Sequence, residues 1–107
     1  MTLREKQSLF ASLIPKLIDF IYAGGYEVTL GDAYRDPRVM FPYGRKNGAH
    51  TIRLAIDLNL FLDGIWLRDT DDHLPFGEYW ESLHPLCRWG GRFNDGNHYS
   101  MEHGGAI

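Results

Sequence analysis

The hydrophobic positions of residues 3–24 recur at helical spacing. Leu9, Leu13, Leu17, Phe20 and Ile21 form a stripe that Phe10, Ile14 and Ile18 widen. This predicts an amphipathic N-terminal helix, bent or split by Pro15 and ended by Gly24 and Gly25. Residues 26–30 then read as a short strand. Residues 36–48 carry two prolines, two glycines and several basic side chains, which predicts a loop that is glycine-flexed near its end.

Period-two alternation returns at residues 54–61. Leu54, Ile56, Leu58 and Leu60 share one face of a strand, and Ala55, Asp57 and Asn59 share the other. The aliphatic face wants a core, so the same register holds Asp57 on the opposite side. Asp63-Gly64 predicts a turn into a second strand over residues 65–67. Residues 69–73 read as a polar loop, 76–83 as a short helix, 88–93 as a glycine-relieved segment between aromatics, and 98–103 as the last strand. A helix followed by short strands and a later helix predicts an α+β domain whose sheet is small and mostly antiparallel.

Composition narrows the class without naming a function. The 107 residues suit one domain with one core, and 44% hydrophobic with 23% charged residues describes a folded globule. A net charge of −3 supplies no basic face for nucleic acid. The single cysteine, Cys87, cannot form an internal disulfide and reads as a small packing residue near Trp89. The apolar run from Leu9 to Tyr22 is interrupted by Ser12, Pro15, Lys16 and Asp19, so it reads as a core helix and not a membrane span. Nothing at the N-terminus reads as a signal peptide, which predicts a cytoplasmic protein with no stable membrane insertion.

The chemistry concentrates in His50, Asp57 and His98. Singly, His50 reads as an exposed loop histidine and Asp57 as a solvated strand residue. Together, two imidazoles and one carboxylate make the ligand set of a catalytic zinc, which keeps one position open for water. Asp95, three residues before His98, stands where a general base for that water belongs. One cysteine excludes a structural site of several thiolates. His73, in the acidic run from Asp69, lacks the glycine and terminal glutamate of a calcium loop and reads as a solvated turn. His84 reads as a helix-end residue and His103 as a surface one.

Four segments, in order, carry a resemblance: GDAYR at 31–35, HTIRLAID at 50–57, WGGRF at 89–93 and DGNH at 95–98. They resemble the zinc D,D-/L,D-peptidase family, most of all the compact phage endolysins that cut peptidoglycan between L-alanine and D-glutamate. The match runs from just after the N-terminal helix to the last strand. It implies the Hedgehog/D-Ala-D-Ala-peptidase-like fold, in which the N-terminal helix packs on a small antiparallel sheet. The chain would then be a single catalytic domain over residues 1–107, with no separate wall-binding module.

The resemblance also implies zinc held by His50, Asp57 and His98, with Asp95 as the catalytic base. Arg35 would hold a substrate carbonyl or carboxylate oxygen. Without the resemblance, Arg35 reads equally as a surface residue paired with Asp32 or Asp36.

Its implied partner is the peptidoglycan stem peptide, cut by a monomer that accumulates in the host bacterial cytoplasm and reaches the wall at lysis. The family pattern often carries a serine and a glycine where this chain has Gly48 and Arg53, which touches substrate preference and not the ligands. Two rivals share the resemblance. One is a D-alanyl-D-alanine carboxypeptidase or dipeptidase, and the other a non-catalytic binding module that kept the zinc. Two imidazoles and a carboxylate also accept other divalent ions.

Overall fold

A computed structural model describes residues 1–39 and 48–107. Most of the expected loop, residues 40–47, lies outside the described residues. Over the described residues the chain folds as an α+β domain in which two helices pack against a five-stranded sheet.

Helix α1 spans Leu3–Ala23 and starts on a capping box. The Thr2 hydroxyl accepts from the Glu5 amide at 3.1 Å, and the Thr2 amide donates to the Glu5 carboxylate at 2.8 Å. Phe10, Leu13, Leu17 and Ile21 form its buried line. Phe20, expected in the stripe, sits at its edge and stacks on Tyr79 with ring centroids 3.9 Å apart. Pro15 does not split the helix. It lies on the exposed side, where the carbonyl that its ring leaves without an N–H partner faces water.

The strands are β1 (Glu27–Leu30), β2 (Ala55–Leu62), β3 (Ile65–Leu67), β4 (Cys87–Trp89) and β5 (His98–Met101). All pairings are antiparallel, and β2 is central. Its one edge carries β1, while the other is shared by β5 beside Ala55–Asp57 and by β3 beside Leu60–Leu62. β4 closes the sheet beyond β5. It is a strand not expected from the sequence, since three residues are too few to show a period. The last strand ends at Met101, two residues short of the expected His103.

Leu54, Leu58 and Leu60 are fully buried, as the alternation predicts. They meet Leu17 and Ile21 from α1, Phe76 and Trp80 from α2 (Leu74–Leu83), and Tyr99 and Met101 from β5. Trp80 ties the layers together, because its indole N–H donates to the Ser100 carbonyl at 2.9 Å. Cys87 is buried in β4, as expected, and desolvation pushes its thiol up to about 12, which makes it an inert packing group.

Residues 69–73 are not a plain polar loop. Asp69 and Asp72 form a capping box around a 3₁₀ turn, Thr70–His73, that leads straight into α2. The turn drives His73 inward, so the solvated reading of that residue is corrected. It is 3% exposed, and its Nδ1 lies 2.8 Å from the Tyr99 hydroxyl. His84 caps the end of α2 as expected. His103 is half-buried and pairs its main chain with Ala106.

Candidate metal centre

Strand register builds the centre. Asp57 of β2 and His98 of β5 are directly opposite partners in the antiparallel ladder, so their side chains leave the same face of the sheet. On the other edge of β2, the Asp57 amide donates to the Asp32 carbonyl at 2.8 Å. His50 arrives from a 3₁₀ turn, Ala49–Ile52, that immediately precedes β2. The turn closes on Arg53, whose φ of 59° lies in the left-handed region that favours glycine. That is the position where the resembling family carries glycine. Here the arginine side chain lies over the Tyr34 ring, 3.9 Å from its centroid.

Three donor atoms converge. His50 Nε2 is 3.1 Å from Asp57 Oδ1 and 3.2 Å from His98 Nδ1, and the last two atoms are 3.5 Å apart. Donors about 2.0–2.1 Å from one tetrahedral ion stand about 3.3–3.4 Å from each other, so this triangle is the right size for a shared ion. His50 and His98 are buried and Asp57 is half-buried.

The tautomer of His50 points the same way. Its Nδ1 lies 2.7 Å from the Ala33 carbonyl, which can only accept, so the proton sits on Nδ1. In the neutral ring His50 Nε2 then offers a lone pair beside a carboxylate oxygen, and a cation, either a proton or a metal ion, joins the two at 3.1 Å. A divalent ion can fill that role, and the carbonyl that orients His50 is the kind of support metal-binding histidines carry. Burial works against the charge on Asp57, but the His50 and His98 imidazoles, when they carry a proton in place of an ion, outweigh it by hydrogen bonding and by charge and hold the carboxyl down at about 2. The His50, Asp57 and His98 group fits a metal ion. His98 Nε2, on the far side of its ring, is buried with no hydrogen-bond partner among the described residues.

Arg35 pairs with Asp32, one of the partners expected for it, and also approaches Asp57. Its Nε donates to Asp32 at 3.0 Å, its Nη2 stands 3.5 Å from Asp57 Oδ2, and its backbone amide donates to the His50 carbonyl. It is 9% exposed, so it is no surface residue. Asp36 pairs with Arg38 instead. Asp57 therefore offers Oδ1 to the histidines and Oδ2 to the guanidinium.

Asp95 is more exposed than the ligands, and its Oδ2 lies 3.9 Å from His98 Nδ1. The loop that carries it is pinned by the Asp95 amide donating to Gly90 and by the His98 amide donating to Asp95. Gly90 is required there, because a Cβ would stand 2.2 Å from the Asp95 carbonyl oxygen and 2.6 Å from His98 Cβ. Gly91 and Gly77 each face the Trp89 ring at 2.1 Å by the same measure, so Trp89 fills the space under this loop as a core aromatic.

Two contributors to the site escape sequence reasoning. The Ala33 carbonyl is a backbone group with no side-chain signal, whereas Asp32 is already expected as a partner of Arg35. Asn59 does have a signal, since it stands two residues beyond Asp57 on the same face of β2.

No helix among the described residues is long and apolar enough to cross a membrane. No family model matches the chain, and no curated protein matches it either.

Proposed function

We propose that this protein is a zinc-dependent peptidoglycan peptidase of the Hedgehog/D-Ala-D-Ala-peptidase-like fold, an endolysin that cuts the stem peptide between L-alanine and D-glutamate. The observation that carries the reading is the triangle of His50 Nε2, Asp57 Oδ1 and His98 Nδ1, with a second acid, Asp95, 3.9 Å from one corner. A purely structural ion has no use for that acid. The order of the four resembling segments along the chain supports the substrate class.

An ion on these donors supplies Lewis acidity, which brings a water's pKa down to about 7 and polarises a carbonyl. The residues do the rest. Asp95, half-exposed at the mouth of the site, takes a proton from the attacking water and returns it to the leaving amine. Arg35 holds Asp57 in place through Oδ2 and directs positive charge at the region where the scissile carbonyl oxygen gathers negative charge. His50 is kept in its binding tautomer by Ala33.

The test is digestion of purified peptidoglycan, with the new termini identified by mass spectrometry. New free D-glutamate amino groups are expected. Released D-alanine would reassign the bond to a carboxypeptidase, and an undigested wall would remove the hydrolase reading.

A further inference from the structure

A groove of about 180 Å³ opens beside the metal centre. Its lining includes Asn59, Trp66, Arg68, Thr70, Asp95 and Asn97. Three of these adjoin the centre directly. Asn59 follows Asp57 by two residues on the same strand face, Asn97 precedes His98, and Asp95 approaches His98 Nδ1.

The groove's wall is equipped to hold a charged peptide. Asn97 donates through its side-chain amide to the Asn59 side-chain carbonyl at 3.3 Å. That leaves an Asn97 acceptor and an Asn59 donor, the two functions needed to grip a peptide unit. Arg68 lies with its guanidinium 5.1 Å from the centroid of the half-exposed Trp66 ring. It enters no ion pair among the described residues, whereas Arg35, Arg38 and Arg92 each hold a carboxylate. A guanidinium stiffened by an aromatic ring and without a carboxylate partner is suited to bind one from a ligand.

Direction follows from Asp95. The acid that returns a proton to the leaving nitrogen lies in this groove, so the groove takes the side of the substrate that bears the new amine. We propose that Arg68 is a specificity-determining residue that pairs with a free carboxylate on the residue immediately following the scissile bond. The inference rests on the peptidase reading above. In a stem peptide that continues through the side chain of D-glutamate, the main-chain carboxylate of that residue stays free and supplies the group.

The test uses two soluble stem peptides that differ only in carrying this group as carboxylate or carboxamide. They are assayed with wild type, Arg68→Gln and Arg68→Lys. Wild type is expected to favour the carboxylate about tenfold in kcat/KM, the scale of one partly solvated charge-assisted contact. Arg68→Gln is expected to abolish the preference by losing about tenfold on the carboxylate peptide and less on the carboxamide, and Arg68→Lys to restore part of it. Peptide binding to chelator-treated protein, followed by tryptophan fluorescence, is expected to show the same ranking without turnover. Equal cleavage of both peptides by wild type, or equal loss on both in Arg68→Gln, would overturn the Arg68 role and leave the peptidase reading standing. Cleavage of neither peptide by wild type would overturn both.

Discussion

Asp57 and His98 oppose each other across the β2–β5 ladder, with Oδ1 of the one 3.5 Å from Nδ1 of the other. Two backbone strands therefore preset one edge of the ligand triangle, and only His50 depends on a turn. Asp57→Asn keeps the shape and removes the charge. It is expected to weaken divalent-ion affinity at least about a hundredfold, because removing a ligand outright costs more than removing a group that only supports one. Isothermal titration with zinc measures this, and wild-type affinity in the Asp57→Asn variant would count against Asp57 as a ligand.

The proposed mechanism gives Asp95 a proton-transfer role and no part in metal binding. Asp95→Ala is expected to lower wall-degrading activity by about 10²–10⁴-fold, the usual share of a positioned acid or base. Its metal content should stay at the wild-type level. Full activity in the variant would show that another group moves the proton.

The fold carries a pH dependence apart from the metal centre. Burial lowers His73 from the ordinary 6.5 to about 4, although the nearby Asp72 charge pulls the other way. The folded state thus disfavours protonated His73, and the unfolded state binds the proton more readily. Stability from this residue is whole above pH 6.5 and is lost as pH falls toward 4, on the order of 2–3 kcal/mol. Urea denaturation of chelator-treated protein at pH 7 and pH 4.5 measures the fall. His73→Gln should flatten this part of the profile, and an unchanged slope would mean that other groups cause it.

Periodicity exposes some of this architecture and hides the rest. The alternation from Leu54 to Leu60 already assigns Asp57 to the face away from the core, because burial of one strand face leaves no freedom of register. The stripe on α1 is equally plain, although Pro15 looks more disruptive in sequence than it is on a solvent-facing side. His73 gives no such clue. A lone imidazole among aspartates shows no period, and its burial follows from a capping box and a distant hydroxyl on Tyr99. Arg35 shows half of its surroundings, since Asp32 is a neighbour in sequence whereas Asp57 comes from β2. Backbone groups such as the Ala33 carbonyl are invisible to any motif. His50, Asp57 and His98 are readable as a donor set because their side-chain types are ones that hold metal ions.

Gly90 couples packing to the centre. Gly90→Ala places a methyl group against the Asp95 carbonyl and His98 Cβ, neither of which can retreat like a flexible side-chain end. Overpacking of this kind costs about 1–3 kcal/mol. The variant is expected to melt earlier and to bind zinc more weakly, measured by thermal unfolding with and without the ion. Gly64→Ala, at a turn with nothing within 4 Å of its Cβ, serves as the comparison for backbone strain alone. Unaltered zinc affinity in Gly90→Ala would separate the loop from the site.

The most direct test is native mass spectrometry of protein made without an affinity tag, supplied with zinc, then stripped and resupplied. The wild type is expected to carry one ion per chain and to release it reversibly to a chelator. His50→Ala and His98→Ala variants that remain folded are expected to retain none. A wild-type chain that binds no divalent ion, or alanine variants that bind it as well as the wild type, would contradict the metal centre and the hydrolase built on it.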